Sequence, residues 1–232
     1  MRAVTLALLL GACASAATVA DELKPFTASY ELSWKGMTVA ASTVKLDRSG
    51  DTWTYTSKSE GRGLGKMFAQ NADLVSVLKV TPAGVQGQSF KATGTGSDKH
   101  AVDLHYDWTN HRLTGVNEGV KVDMPLTPDV QDDASVQVAL MVELLAGRTP
   151  EKFTMLSGGK LRAYHYKREG EETLKTPFGD VATVIFSSQA DYSPRITRFW
   201  CAPDRGYVPM KAQQKKDNDV QWTMEIRSFT RD

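Results

Sequence analysis

The chain has 232 residues, of which 41% are hydrophobic and 24% are charged, and its formal net charge at pH 7 is +1. These values are typical of a globular protein, and they exclude the strongly basic surface of a nucleic-acid-binding protein. One β-rich domain covering residues 21–232 accounts for the length. Because Cys13 lies in an export segment and Cys201 is the other cysteine, we expect no internal disulfide in the mature domain.

The first 20 residues resemble a secretory signal peptide, with Arg2 followed by the short apolar run of residues 4–10. Cleavage after Ala16 or Ala20 is one processing route. The other is a lipobox, L-G-A-C, which would remove residues 1–12 and lipidate Cys13. A buried first strand of a cytosolic protein is the alternative to export. Either export route places the domain in the envelope of a Gram-negative-like cell, soluble in the periplasm or tethered to the outer membrane.

Strand patterns dominate the rest of the chain. Apolar residues alternate with polar ones from Phe26 to Trp34, from Val102 to Trp108 and from Trp222 to Ile226. A period of two indicates strands with one buried face. Counting all such segments gives about a dozen strands. The sequence therefore predicts a mainly β fold, a single antiparallel curved sheet or open β-barrel.

A glycine-rich segment, E-G-R-G-L-G-K-M-F, follows the third predicted strand at residues 60–68. Its G-x-G-x-G spacing differs from that of a phosphate-binding loop, no Ser or Thr follows the lysine, and no amphipathic helix comes after it. We therefore expect no nucleotide site. Leu64, Met67 and Phe68 are apolar for a loop, and they either form a movable flap over a cavity or join the core.

His105, Asp107 and His111 are the strongest candidates for a metal site. Residues 105 and 107 share one face of a strand, but that face is the polar one, and His111 lies beyond a turn. A solvated outer face is the better interpretation. We also find no acidic or cysteine partner for His165, and we expect no metal and no cofactor.

One segment, residues 130–147, has the pattern of a helix rather than a strand. Only Gln137 and Glu143 interrupt the apolar residues between Val136 and Ala146. A helix apolar on nearly every side must be buried, and this one is shorter than the roughly 20 residues that cross a bilayer. Asp132 or Asp133 can cap its start, and Gly147 can end it. We predict a buried helix near residues 131–146, packed into the concave side of the sheet.

Two features of the C-terminal third invite a catalytic interpretation. Glu169, Glu171 and Glu172 lie in a segment that reads as an acidic turn, where solvated carboxylates are the simpler interpretation. Cys201 is a candidate nucleophile, but no motif supplies a base or an oxyanion site, so a buried structural thiol is favoured. We find no catalytic constellation, and we expect the protein not to be an enzyme.

Five segments together resemble the proteobacterial domain-of-unknown-function family 3108 across residues 25–229. They are P-F-T-A-S-Y-E-L-S-W-K-G, E-G-R-G-L-G-K-M-F, Q-D-D-A-S-V-Q-V-A-L, R-E-G-E-E-T-L-K-T-P-F-G and F-W-C-A-P-D-R-G-Y-V-P. The family implies no established activity. The order of elements is also distantly similar to that of envelope lipoprotein carriers of the LolA/LolB type. That resemblance implies an open half-barrel that holds acyl chains, although this chain has one strong helix rather than several.

Three functions follow as hypotheses. The first is a non-enzymatic binder or carrier of a lipid or lipoprotein acyl chain, or another apolar ligand, in a concave β cavity. Its candidate lining residues, each of which ordinary core packing also explains, are Tyr30, Trp34, Trp53, Tyr55, Leu64, Met67, Phe68, Leu140, Met141, Leu144 and Trp200. The second is a structural or interaction protein of the outer membrane or periplasm whose sheet face or edge binds an envelope protein. The third, an envelope hydrolase, would depend on His105 or His165.

Overall fold

The computed structural model describes residues 22–63, 72–94, 101–157 and 159–231. These residues form one open curved sheet of fifteen strands and one α-helix, which confirms the predicted mainly β fold with a single helix. The strand count exceeds the predicted dozen partly because Val130–Gln131 forms a two-residue strand that no periodicity could reveal. In the described part of the chain, no helix has both the length and the apolar character needed to cross a membrane.

The elements follow one another in simple order along the chain. The strands are β1 (Phe26–Trp34), β2 (Met37–Ser49), β3 (Thr52–Gly61), β4 (Ala72–Thr81), β5 (Gly84–Gly94), β6 (Val102–Asp107), β7 (Arg112–Asn117), β8 (Val120–Pro125), β9 (Val130–Gln131), β10 (Lys152–Ser157), β11 (Lys160–Thr176), β12 (Gly179–Ala190), β13 (Arg195–Ala202), β14 (Val208–Lys216) and β15 (Asp219–Arg231). The helix α1 spans Ser135–Leu145, and a short 3₁₀ turn spans Pro203–Arg205.

Nearly every strand pairs antiparallel with its neighbour along the chain. The order is β8-β7-β6-β5-β4-β3-β2-β1-β15-β14-β13-β12-β11-β10-β9, with a parallel pair only between β9 and β10. The pair of β1 and β15 joins the two ends of the described chain, with Phe26 opposite Arg231 and Trp34 opposite Trp222. The N-terminal and C-terminal halves therefore form one continuous surface.

The sheet must curl strongly, because its two edge strands are close together in sequence. A flat sheet of fifteen strands would be about 65 Å wide. Yet β8 ends at Pro125 and β9 begins at Val130, and five residue steps span at most about 19 Å. Contact between the β7–β8 and β10–β11 turns agrees with this, since a Cβ added to Gly159 would lie 3.4 Å from Val120. The result is an open barrel with a concave inner face.

The helix spans Ser135–Leu145, so it begins four residues later than the predicted start at residue 131, and the predicted capping residues flank it. Asp132 Oδ1 accepts hydrogen bonds from the backbone N–H groups of Ala134 and Ser135, at 3.0 and 2.7 Å. Ser135 Oγ in turn accepts from the N–H of Asp132 at 2.8 Å, so the two residues cap each other reciprocally. Gly147 ends the helix with φ +70°, a left-handed conformation that glycine adopts without steric cost. Of the two aspartates that could cap the helix, the structure selects Asp132.

One hydrophobic core joins the helix to the sheet. Val138, Leu140 and Met141 of α1 are almost completely buried and belong to the same cluster as Trp53 of β3 and Leu78 of β4. The helix packs chiefly on β4, β5 and β9. It therefore occupies one side of the curved sheet, and the inner face of β13, β14, β15 and β1 lies beyond its main contacts.

The predicted acidic turn at residues 169–172 is wrong. β11 continues through it as a 17-residue strand, and the register with β12 slips between Arg168 and Gly170, so Glu169 forms a β-bulge. Glu169 pairs with Arg198, and Glu172 accepts a hydrogen bond from the indole N–H of Trp200. Charge alone could not separate a turn from the solvated face of a long strand.

Candidate functional site

Most of the predicted cavity residues lie in the closed part of the interior. Tyr30, Trp53, Tyr55, Leu140, Met141 and Leu144 are all buried members of the single core. The hydroxyl of Tyr30 donates to the carbonyl oxygen of Pro209 at 3.0 Å, and burial raises the pKa of both Tyr30 and Tyr55. This side of the barrel is filled by the protein's own side chains.

The other predicted cavity residues lie elsewhere. Trp34 is 47% exposed at the end of β1, where Lys35 Nζ lies 5.0 Å from the centre of its ring. Trp200 is buried, but the register aligns it with Lys211, Glu225 and Glu31, so it lies on the charged outer face and does not face the cavity. Leu64, Met67, Phe68 and the lipidation candidate Cys13 lie outside the described residues.

The open side of the concave face carries a row of apolar side chains. Phe199, Ala212, Met224 and Leu32 stand opposite one another across β13, β14, β15 and β1, and we call them the apolar row. Ala212 is buried, whereas Phe199, Met224 and Leu32 are only half-buried. Apolar surface on a concave face thus remains partly accessible to solvent.

A polar cavity of about 370 Å³ lies beside the apolar row, near the strand ends at the β1–β2 turn. We call it the rim cavity. Thr197 and Gln214 line it, and each is one inner-face position from the apolar row, next to Phe199 and Ala212 respectively. Ligand pockets begin at about 300 Å³, so the rim cavity is large enough for a small polar group. The concave face is therefore polar at the rim and apolar below it.

A second, smaller cavity of about 160 Å³ lies at the N-terminus of α1, lined in part by Asp132, Asp133 and Leu104. Its most buried polar residue is Asp132, whose carboxylate accepts hydrogen bonds from the hydroxyls of Ser76 at 2.9 Å and Tyr106 at 3.2 Å. Burial raises the pKa of Asp132, and the surrounding hydrogen bonds only partly oppose that effect. The network ties the helix to β4 and β6, so its role is structural.

A glycine gives Tyr106 the room to reach that carboxylate. A Cβ on Gly87 would lie only 3.0 Å from the Tyr106 ring, so the ring can lie over β5 only where no side chain intervenes. Trp108 stacks on Tyr106 with ring centres 6.5 Å apart and donates its indole N–H to the carbonyl oxygen of Gly87 at 2.6 Å. The position of the Tyr106 hydroxyl is therefore fixed from two sides.

Protein stability is expected to rise as the pH falls through about 6. The pKa of Asp133 is raised from 3.8 to about 6 by lost solvation and by repulsion from Asp132 and Glu118, and the pKa of Asp132 is raised by burial. Because both folded-state values exceed the unfolded ones, the folded protein binds protons more tightly, and this stabilisation disappears as the pH rises again. Asp133 is an exposed residue despite its crowded cavity, so its share should stay below about 1 kcal/mol.

Melting temperatures measured between about pH 7.5 and pH 4.5 for the wild type and for the variant D132N/D133N test this expectation. Because Asp132→Asn is itself expected to lower stability at neutral pH, the advantage of the wild type over the variant should widen as the pH falls below about 6, where the carboxylates are ionised only in the unfolded wild-type chain. A wild type that loses stability relative to the variant on acidification would contradict the assigned direction.

The described residues contain no cluster of three or more His, Cys, Asp or Glu side chains that could hold a metal ion. His105 is exposed beside Asp103 on the outer face. His165, for which the sequence offered no partner, has its Nε2 atom 2.9 Å from Asp191 Oδ1, and both side chains are exposed. The second histidine therefore belongs to a surface pair.

The thiol of Cys201 is expected to be inert in the folded protein. Cys201 is completely buried, and burial raises its pKa to about 12, so the reactive thiolate is almost absent at neutral pH. In protein lacking residues 1–20, an aromatic disulfide reagent should label no thiol under native conditions and one thiol per chain in denaturant. Rapid native labelling would show that the core around β13 opens readily.

Sequence reasoning missed the rim cavity. Its two basic residues, Arg162 and Arg195, lie on strands that are not adjacent, and only the register brings them to one cavity. One feature of the sequence could have indicated it. Arg162 lies on the same face of β11 as Tyr164 and Tyr166, and a basic residue on the inward face of a strand is unusual.

Comparisons with known proteins match the chain to one protein family and to solved structures with a similar fold. A family described as "Protein of unknown function (DUF3108)" matches residues 29–225, and no curated protein matches the chain. A β-barrel-like protein of the domain of unknown function DUF1849 from Brucella abortus is 10% identical, with a TM-score of 0.61 over 90% of this chain and 98% of that one. A putative exported protein with a YmcC-like fold from Bacteroides fragilis is 11% identical, with a TM-score of 0.43 over 90% and 96% of the two chains. The first of these likenesses supports the β-barrel-like fold alone.

Proposed function

The chain belongs to the DUF3108 family, and we propose that it is a non-enzymatic envelope protein that binds or carries an acyl chain or a similar apolar ligand on the concave face of its sheet. The observation that carries this proposal is the apolar row, three of whose four side chains are only half-buried. A contiguous apolar patch that stays exposed on a soluble protein commonly marks a ligand-binding or interaction site. Here Phe199 and Met224 pack against the edge of the core and, with Leu32, keep part of their surface exposed beyond the main contacts of the helix.

The energetics of such a site favour a chain-like ligand. Each methylene group that moves from water to an apolar surface contributes about 0.8 kcal/mol. An acyl chain laid along Leu32, Met224 and Phe199 would complete the burial of these side chains without displacing α1. The residues on the helix side, including Trp53 and Leu140, would support the fold while the ligand occupies the other side.

The same proposal includes an envelope location, in the periplasm or attached to the outer membrane. Its support is the signal-like segment of residues 1–20, and an aqueous compartment is where an acyl chain needs a protein carrier. Cell fractionation and the intact mass of the mature chain test it. A lipidated N-terminal Cys13 would add several hundred daltons, whereas ordinary cleavage leaves a chain starting at Ala17 or Asp21.

Native mass spectrometry of protein purified gently from its own envelope is the direct test of ligand binding. A mass adduct that leaves on collisional activation and fragments as a lipid is expected. The variant Met224→Gln places a polar side chain of similar size in the apolar row and should lose most of the adduct. Thr223→Gln alters the neighbouring residue, which faces the opposite side of β15, and should retain it. Bare polypeptide in every preparation, and no uptake of added lipid, would sink the proposal.

A second function, docking to an envelope protein, is favoured by one separate observation. Six of the eight exposed large hydrophobic residues in the described chain lie at the end of the barrel that carries the β1–β2 turn. They are Trp34, Met37, Val116, Val120, Tyr192 and Val220. Photo-crosslinking from position 37 would capture a specific protein if this rim is an interface. If no protein is captured reproducibly, the proposal that this rim docks to an envelope protein is wrong.

A further inference from the structure

We propose that the rim cavity binds an anionic headgroup, a phosphate or a carboxylate, through Arg162 and Arg195. This inference rests on the proposed function, because it names the polar end of the same amphiphilic ligand. The apolar row would hold the chain, and the rim cavity would select the charge.

The two arginines reach the cavity from opposite sides. Arg162 lies near the start of β11 and Arg195 begins β13, with β12 between them. Two strand spacings are about 10 Å, and the register sets Arg162 two residues beyond the level of Arg195, so the gap between the two backbones is about 12 Å. Two extended arginine side chains can bridge this gap around one anion. The guanidinium group presents paired N–H donors that match two oxygens of a carboxylate or phosphate.

The charge of the cavity is not neutralised from within. None of the described residues that line it is acidic, and neither Arg162 nor Arg195 forms an ion pair with a described residue. Other arginines in the described chain do have such partners: Arg148 with Glu143 at 2.7 Å, and Arg227 with Glu31 at 3.1 Å. Two unpaired cations in one concavity create a positive potential that attracts an anion.

Neutral groups around the arginines can complete the coordination of an anion. Gln214 Nε2 donates to Thr197 Oγ1 at 3.2 Å, which leaves the hydroxyl hydrogen of Thr197 available to a ligand. Ser188 and Tyr164 bring two further hydroxyl groups to the lining. The cavity thus offers charged donors at its rim and neutral donors at its floor.

Continuity with the apolar row points to a headgroup attached to a chain. Residues on one face of a strand are about 7 Å apart, so an anion level with Thr197 places its first methylenes level with Phe199. A free anion would use only the upper part of this surface. An amphiphile with one anionic end matches both parts.

The test compares three probes. Two are lysolipids with the same acyl chain, lysophosphatidylglycerol and lysophosphatidylcholine, both used below their critical micelle concentrations, and the third is sodium phosphate. Binding is measured by calorimetry, with tryptophan fluorescence as a second readout. The wild type should bind the anionic lysolipid about tenfold more tightly than the zwitterionic one. Arg162→Gln and Arg195→Gln should each remove most of this preference, and the double variant all of it. Arg227→Gln, on the outer face of β15 and paired with Glu31, should change nothing.

The outcomes separate this inference from the proposed function. Equal affinity for both lysolipids, unaffected by either arginine substitution, would overturn the headgroup site while leaving a carrier of apolar chains. Binding of sodium phosphate without either lysolipid would overturn the amphiphile and identify a free anion as the ligand. Failure of all three probes with correctly folded protein would reject both proposals. Circular dichroism spectra matching the wild type verify that each exposed arginine variant is folded.

Discussion

Replacement of Asp132 by alanine is expected to lower the free energy of unfolding by about 3 kcal/mol. The substitution removes the capping carboxylate, which contributes about 1 kcal/mol, and it leaves the buried hydroxyls of Ser76 and Tyr106 without their acceptor, at about 1 kcal/mol or more each. Urea denaturation followed by circular dichroism measures the change. The two side chains cannot turn to water, because Ser76 is fully buried and Tyr106 nearly so.

Two variants act as controls for Asp132. Asp133→Ala alters the exposed neighbour, which caps nothing, and should change the unfolding free energy by less than about 1 kcal/mol. Asp132→Asn keeps an oxygen for the backbone N–H groups but offers an N–H₂ group to two hydroxyls, so an intermediate loss is expected. If D132A unfolds at the wild-type urea concentration, the network does not hold the helix to the sheet.

Local features of the fold could be predicted because they depend on neighbouring residues. The alternation from Phe26 to Trp34 fixes which side of β1 is buried, and the apolar run around Leu140 requires a buried helix. Asp132 and Gly147 mark its ends through short-range hydrogen bonds and backbone geometry. None of these conclusions needed knowledge of the strand order.

Features that depend on register could not be predicted. Trp200 is a large aromatic residue of the kind that lines ligand cavities. In the folded sheet, however, it lies on the outer face, in contact with Glu172 and Lys211. Glu169 looked like part of a turn because a β-bulge leaves no periodic signal. The convergence of Arg162 and Arg195 needs the pairing of three strands, which alternation along a single strand does not specify.

Truncation of Trp53 should separate the core from the proposed ligand surface. Trp53 is 1% exposed within the central cluster, so Trp53→Ala is expected to cost about 4 kcal/mol in unfolding free energy through lost burial and a residual cavity. Lipid affinity of the protein that remains folded should be unchanged, since Trp53 lies on β3 under the helix side of the barrel. Urea denaturation and lysolipid calorimetry give the two quantities independently.

Met224→Ala should show the reverse pattern. Met224 is half-buried, so its truncation removes less packing, and a loss of about 1 to 2 kcal/mol in unfolding free energy is expected. The same change removes the middle of the apolar row and should weaken lysolipid binding about tenfold. Equal effects of the two substitutions on binding would mean that the ligand enters the helix side and displaces α1. A carrier that keeps its helix fixed requires stability and affinity to respond to different residues, because its ligand surface would occupy a part of the concave face beyond the main contacts of the helix.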